Sequence, residues 1–224
     1  YNIATMTTTN IGHYGMEPID ESMINQLNIL ENPSYSSQKN FDLYESIRLD
    51  NHKYYNLTEK VVYKHLYNKE KDKISGRLIG GCIDVLSVLP GTIFDNTKNF
   101  CKNFPEGILW YLENCEQSIL SLYRILWQMK NSGWFDNTNG IILGRTRSRE
   151  TIEDLTYENV LHKVFDDMKI PVIYDVDFGH VMPQWTMING SFADFISFFQ
   201  HFGQCFHHIR HIERLGYVPV HSGI

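Results

Sequence analysis

A carboxylate and a histidine each close a short apolar run of this 224-residue chain: Glu113 ends GILWYLE and His180 ends PVIYDVDFGH. An acid and an imidazole are two of the three parts of a nucleophile, base and orienter arrangement. The imidazole can take a hydroxyl proton because its pKa lies near neutrality, while the carboxylate fixes its tautomer and stabilises the imidazolium. Each residue also has a plainer reading. An acid just after a strand often interacts with the dipole of the next helix, and a solitary histidine is often structural. Gly80 and Gly81 are substrate-binding candidates because bare backbone can approach a phosphate or carboxylate, although they lack the GxGxxG pattern and a tight turn explains them more simply. Trp185, five residues after His180, is a candidate for stacking on a substrate ring; core packing is the default for Trp110, Trp127 and Trp134. Arg145, Arg147 and Arg149 could grip a carboxylate bidentately, with a solvated loop as the slightly preferred alternative.

The elements that would carry these residues alternate. VVYKHLYNKEKDKISGRLIGG reads as a strand, a charged turn and a second strand, followed by a short helix over Ile83 to Leu89 that Pro90 and Gly91 stop. GILWYL is a buried strand; Gln117 to Asn131 repeats apolar residues at helical steps, with Gly133 near its C-cap. GIILG is another strand, Ile152 to Met168 another helix, and PVIYDV a third strand. Alternation of this kind predicts right-handed crossovers, a largely parallel sheet and an α/β fold. Chemistry in such sheets collects at the carboxyl ends of strands, where Glu113 and His180 fall. Residues 1–75, with a helix expected at Glu21 to Leu30, read as linker and peripheral structure, residues 76–190 as the main domain, and residues 191–224 as a divergent tail.

In that tail, Phe192, Phe195, Phe198, Phe199, Phe202 and Phe206 repeat at helical spacing and read as an apolar face for core or homodimer contact. His207 and His211 share the i, i+4 spacing of a metal-binding helix, but Glu213 would fall on another face and no third ligand is evident. A surface or interface helix is therefore the reading adopted, and neither metal nor cofactor is expected.

A 42% apolar, 21% charged composition permits a sizeable core. The net charge of −6 argues against nucleic acid or an anionic membrane surface as partner. Four cysteines without a CxxC pair argue against a disulfide framework or zinc knuckle. With no apolar run long enough to span a bilayer and no signal-like start, a cytoplasmic location is expected.

The succession GRLIGGCIDVLSVLPGT (76–92), GILWYLE (107–113), the Arg124 helix leading to NSGWF and GIILGR (140–145), and DVDFGHVMP (175–183) resembles the C-terminal domain of the LD-carboxypeptidase family of serine peptidases, including its microcin C immunity branch. The resemblance implies a Ser-Glu-His triad with Glu113 as orienting acid and His180 as general base, the serine lying on an elbow in an N-terminal domain. It also implies metal-independent hydrolysis of an amide near a carboxyl terminus, on a murein tetrapeptide during peptidoglycan recycling or on a peptidyl nucleotide. No Gly-Tyr-Ser-Asp-like elbow occurs in these residues, and TTTNIGHYGMEP resembles only the stretch downstream of it, so the chain by itself is expected to be inert. Cys82 stands where the family usually has Asn. The competing expectation is a non-catalytic binding or dimerisation module that retains the fold.

Overall fold

The computed structural model describes residues 5–32, 35–49, 53–67, 71–199 and 205–212. Among them one sheet contains, in chain order, β1 (Tyr35–Lys39), β2 (Lys64–His65), β3 (Lys71–Cys82), β4 (Ile108–Glu113), β5 (Thr138–Gly144), β6 (Val172–Val176), β7 (Phe192–Phe199) and β8 (Cys205–Ile212). Their spatial order is β1-β8-β7-β3-β4-β5-β6-β2. The central strands β3, β4, β5 and β6 are parallel, and the strands on both sides are antiparallel to their neighbours. The α/β architecture with a parallel centre is thus as expected; the antiparallel margins were not anticipated.

Helices supply the crossovers. The helix α1 (Glu21–Glu31) lies in the N-terminal segment, and α2 (Ile83–Leu86) and α3 (Thr97–Lys102) follow β3. Next come α4 (Ile119–Asn131) between β4 and β5, and α5 (Tyr157–Phe165) between β5 and β6. Ser118 caps α4 by accepting the Ser121 amide, and the chain leaves that helix through Gly133 at φ +79°, a conformation costly for any residue with a Cβ. The second crossover helix begins later than its periodicity suggests, because Thr156 and Asn159 form a reciprocal capping box there. Leu122, Leu126 and Met129 of α4 and Val160, Leu161 and Val164 of α5 pack on Trp110, Leu112, Ile141 and Leu143 of the sheet.

All six residues of β4 are buried, which explains its unbroken apolar run: Trp110 and Leu112 face the helices, Leu109 and Tyr111 the other side. That other side is covered by the sheet's own margins, because the sheet curls. Tyr63, just before β2, stacks on Phe195 of β7 at 6.5 Å, and His65 shares a 2.7 Å hydrogen bond with the Ser197 hydroxyl. The segment expected as a linker therefore supplies both edge strands, β1 and β2, and part of the core.

The helical reading of the tail is corrected. Residues 192–199 and 205–212 form an antiparallel pair. In β7, Ala193, Phe195 and Ser197 are buried while Phe192, Asp194 and Ile196 are only partly so, a two-residue period. Phenylalanines on both faces of a strand can mimic a three-to-four-residue repeat. Residues 207 and 211 consequently belong to a strand rather than standing one turn apart on a helix, and the helical argument for a dimer contact falls with it. The side chains of Phe198, Phe199, Phe206, His207, His208 and His211, and all of His201, Phe202, Glu213 and His221, lie outside the described residues.

Candidate active site

Because β4 and β6 run parallel with only β5 between them, Glu113 and the turn after Val176 emerge on the same edge of the sheet. The turn Asp177-Phe178-Gly179-His180 then folds back over β4. It can do so because Gly179 adopts φ +106° and has no side chain: a Cβ there would lie 2.1 Å from Glu113 Cγ. Glu113 Oε1 accepts the His180 amide at 3.3 Å, and Oε2 lies 3.0 Å from His180 Nδ1. An ionised carboxylate only accepts, so Nδ1 carries the proton and the Nε2 lone pair is available to a hydroxyl.

Exposure differs sharply across this pair, with side-chain values of 4% for Glu113 and 57% for His180. The hydrogen bond to Glu113 lifts the imidazole pKa above its ordinary value; partial burial opposes the shift, and the charges of Glu113, Asp84 and Glu116 add to it. His180 also borders a cleft of about 400 Å³, together with His13, Arg48, Lys53, Tyr54 and Tyr55. None of these five was singled out from the sequence. His13 belongs to the quoted TTTNIGHYGMEP stretch, but the others sit in irregular segments without a motif. His13 Nδ1 meets the Tyr55 hydroxyl at 2.8 Å, and burial, helped by Arg48, lowers the His13 pKa.

A buried ion pair props the turn from below. Arg145, at the end of β5, donates to Asp177 Oδ1 at 2.6 Å, and Asp177 Oδ2 accepts from the Phe41 amide and the Tyr63 hydroxyl. Neither a solvated loop nor an open carboxylate clamp describes the arginine cluster. Arg147 contacts Glu45, Arg149 pairs with Asp175, and all three arginines line a second cavity of about 360 Å³.

Trp185 requires correction. Its side chain is fully buried, its indole N–H donates to the Lys39 carbonyl at 2.7 Å, and its ring packs edge-on against Tyr63 and Phe195, so no face is open to a substrate. Trp110 and Trp134 are core residues as expected, whereas Trp127 is 56% exposed. Gly80 is explained by packing, since a Cβ would sit 1.7 Å from the Tyr111 carbonyl oxygen and its own amide donates to Asn189. Gly81, at φ +150°, closes β3 beside Leu86. Next to it, Cys82 donates weakly to Asp84 Oδ2 at 3.4 Å, and burial together with the Glu113 charge pushes its thiol up to about 12. A thiol so disfavoured from ionising is a poor nucleophile despite its nearness to His180.

Residues 75–195 match the family of the LD-carboxypeptidase C-terminal domain. The microcin C7 self-immunity protein MccF of Escherichia coli is 28% identical over 117 residues, covering 51% of this chain and 32% of that protein. Among solved structures, an MccF-like protein from Streptococcus pneumoniae in complex with AMP superposes with a TM-score of 0.66 at 20% identity, over 86% of this chain and 60% of that one. A muramoyltetrapeptide carboxypeptidase from Oxalobacter formigenes gives 0.63 at 15% identity, over 94% and 61%. The chain thus spans less than two thirds of the length of each of these relatives.

Proposed function

The chain belongs to the LD-carboxypeptidase C-terminal domain family, and from that premise we propose that it supplies the acid and the base of a serine-type carboxypeptidase. The supporting observation is the 3.0 Å contact between His180 Nδ1 and Glu113 Oε2 at the margin of an open cleft. In this reading Glu113 holds the Nδ1 proton and His180 Nε2 removes the proton of a serine hydroxyl. The serine oxygen attacks the amide carbonyl, and the imidazolium returns its proton to the departing amine. Water repeats the cycle on the acyl ester. That cycle needs a serine hydroxyl on an elbow that does not occur among these 224 residues, so in this reading they do not hydrolyse an amide by themselves.

The substrate we propose carries an anionic terminus, since Arg48 and Lys53 border the cleft beside Tyr54 and Tyr55, which suit a planar or apolar group. A murein tetrapeptide has such a terminal carboxylate, while a peptidyl adenylate would offer an internal phosphate and a planar base to the same groups, and the named relatives include one bound to AMP and one named for a muramoyltetrapeptide. We propose a cytoplasmic setting, which is what the family resemblance implies.

The test is cleavage of both substrate types by the intact gene product. We expect turnover of one of them, and His180→Ala should lower kcat by roughly 10²–10⁴-fold with the fold retained. Unchanged kcat in that variant would dismiss His180 as the base. No turnover of either substrate would favour a non-catalytic binding module instead.

A further inference from the structure

The carboxyl end of β3 brings a third potential ligand to the Glu113–His180 pair. One ligand atom each from Cys82, Glu113 and His180 lies within 4.8 Å of the others. We propose that these three residues form a binding site for a thiophilic divalent cation of the zinc class.

The donor set selects the ion. A sulfur, a carboxylate oxygen and an imidazole nitrogen suit zinc, whereas magnesium and calcium favour all-oxygen shells. Bonds of about 2.0–2.3 Å in a tetrahedral shell place ligand atoms roughly 3.3–3.8 Å apart, so a cluster whose ligand atoms lie within 4.8 Å of one another closes by about 1.5 Å at most. His180 can provide that movement because its side chain is more than half exposed, while Glu113 is held in place by the His180 amide and the Gly179 turn. Cys82 would yield its thiol proton to water as the sulfur–metal bond forms, and His180 would bind through its unprotonated ring nitrogen, either Nε2 with the Nδ1 proton kept or Nδ1 after that proton has moved to Nε2, with no change of oxidation state. The surroundings favour a cation as well. Asp84, engaged by Cys82 and by the Cys115 and Glu116 amides, adds a second carboxylate beside the cluster. Three protein ligands leave a fourth position for water.

No sequence pattern announces this site, because its ligands come from the ends of three strands at separations of 31 and 67 residues (82 to 113 and 113 to 180). Its consequence rests on the proposed hydrolase reading. The cation would engage the same carboxylate and imidazole that the acid–base cycle needs, and so would inhibit cleavage rather than assist it.

The experiment is a zinc titration of the reduced, metal-stripped chain against a chromophoric chelator, together with the absorption spectrum of the cobalt(II) complex. Loss of an outer-shell partner alone typically costs 10–100-fold in affinity, so Cys82→Ala and His180→Ala should each weaken this site by about 100-fold or more. Cys115→Ala should not weaken it. Cys82→Ser, which keeps the volume, guards against a folding artefact. The cobalt complex should show a thiolate-to-metal charge-transfer band that disappears in both Cys82 variants. Histidines of the tail could bind zinc independently, but that binding would survive the Cys82 substitutions and separates by difference. Equal zinc affinity in the parent and both Cys82 variants, or a cobalt complex without the thiolate band, overturns the site whatever the hydrolase assay shows. Inactivity of the intact gene product, by contrast, overturns the functional reading and leaves the zinc isotherm unchanged.

Discussion

Glu113 is nearly sealed from solvent while its imidazole partner faces the cleft, and this asymmetry has a measurable signature. The hydrogen bond and nearby carboxylates raise the His180 pKa above 6.5 in the folded chain, partial burial notwithstanding. A raised folded-state value means that the pair's stabilisation is complete below about pH 6.5 and is lost as pH climbs through the folded value. Glu113→Gln should therefore move the ring's titration midpoint downward, and should cost more stability near about pH 6 than near about pH 9. NMR titration of the His180 ring protons and thermal melts at the two pH values check both statements. A midpoint that does not move in Glu113→Gln would show that the carboxylate does not govern the imidazole. As a base, neutral His180 would make cleavage by the intact enzyme rise with pH through that same raised value. The two residues could be singled out beforehand from the order of the motifs that carry them, not from spacing alone, since an acid after a strand and a solitary histidine each have a plainer reading. Cys82 as their neighbour could not be, since nothing in its local sequence says which strand lies beside β3.

At the scale of elements, the His180 turn is held by the buried contact between Arg145 after β5 and Asp177 after β6. Removing one member of such a pair leaves an uncompensated charge in the interior. Arg145→Leu should destabilise the fold by roughly 3–5 kcal/mol in urea unfolding, and adding Asp177→Leu should recover part of that loss. A single variant as stable as the parent would mean that water replaces the guanidinium there. The second crossover helix was read from Ile152 and begins at Tyr157, since the Thr156 cap that sets its start was not recognised, but both crossover helices were legible because their apolar stripes face one side only. The β7–β8 hairpin was misread for the opposite reason. With apolar residues on both faces, spacing alone does not distinguish a period of 2 from one of 3.6, and the pairing partner decides.

For the whole molecule, the N-terminal segment contributes two strands to the main sheet, and we expect it to open with that sheet. Leu66, beside β2, donates its amide to the Val172 carbonyl at 2.9 Å, and Ile141, in the parallel centre, donates to Pro171 at 3.0 Å. Both amides should exchange with solvent through the same opening, with equal free energy and denaturant dependence in native-state hydrogen exchange. Faster exchange at Leu66 at low denaturant would show that the segment opens on its own. What the residue order determined by itself was the alternation of strands and helices from Gly107 to Val176 and the end of the sheet at which Glu113 and His180 meet. Both follow from local periodicity, capping and the handedness of parallel crossovers. Tertiary structure alone decided that Trp185 is walled into the core, that residues 35–39 and 64–65 become the sheet's edges, and that a thiol joins the acid and the imidazole. Each depends on contacts between distant segments of a curled sheet, and no local pattern records which segments meet.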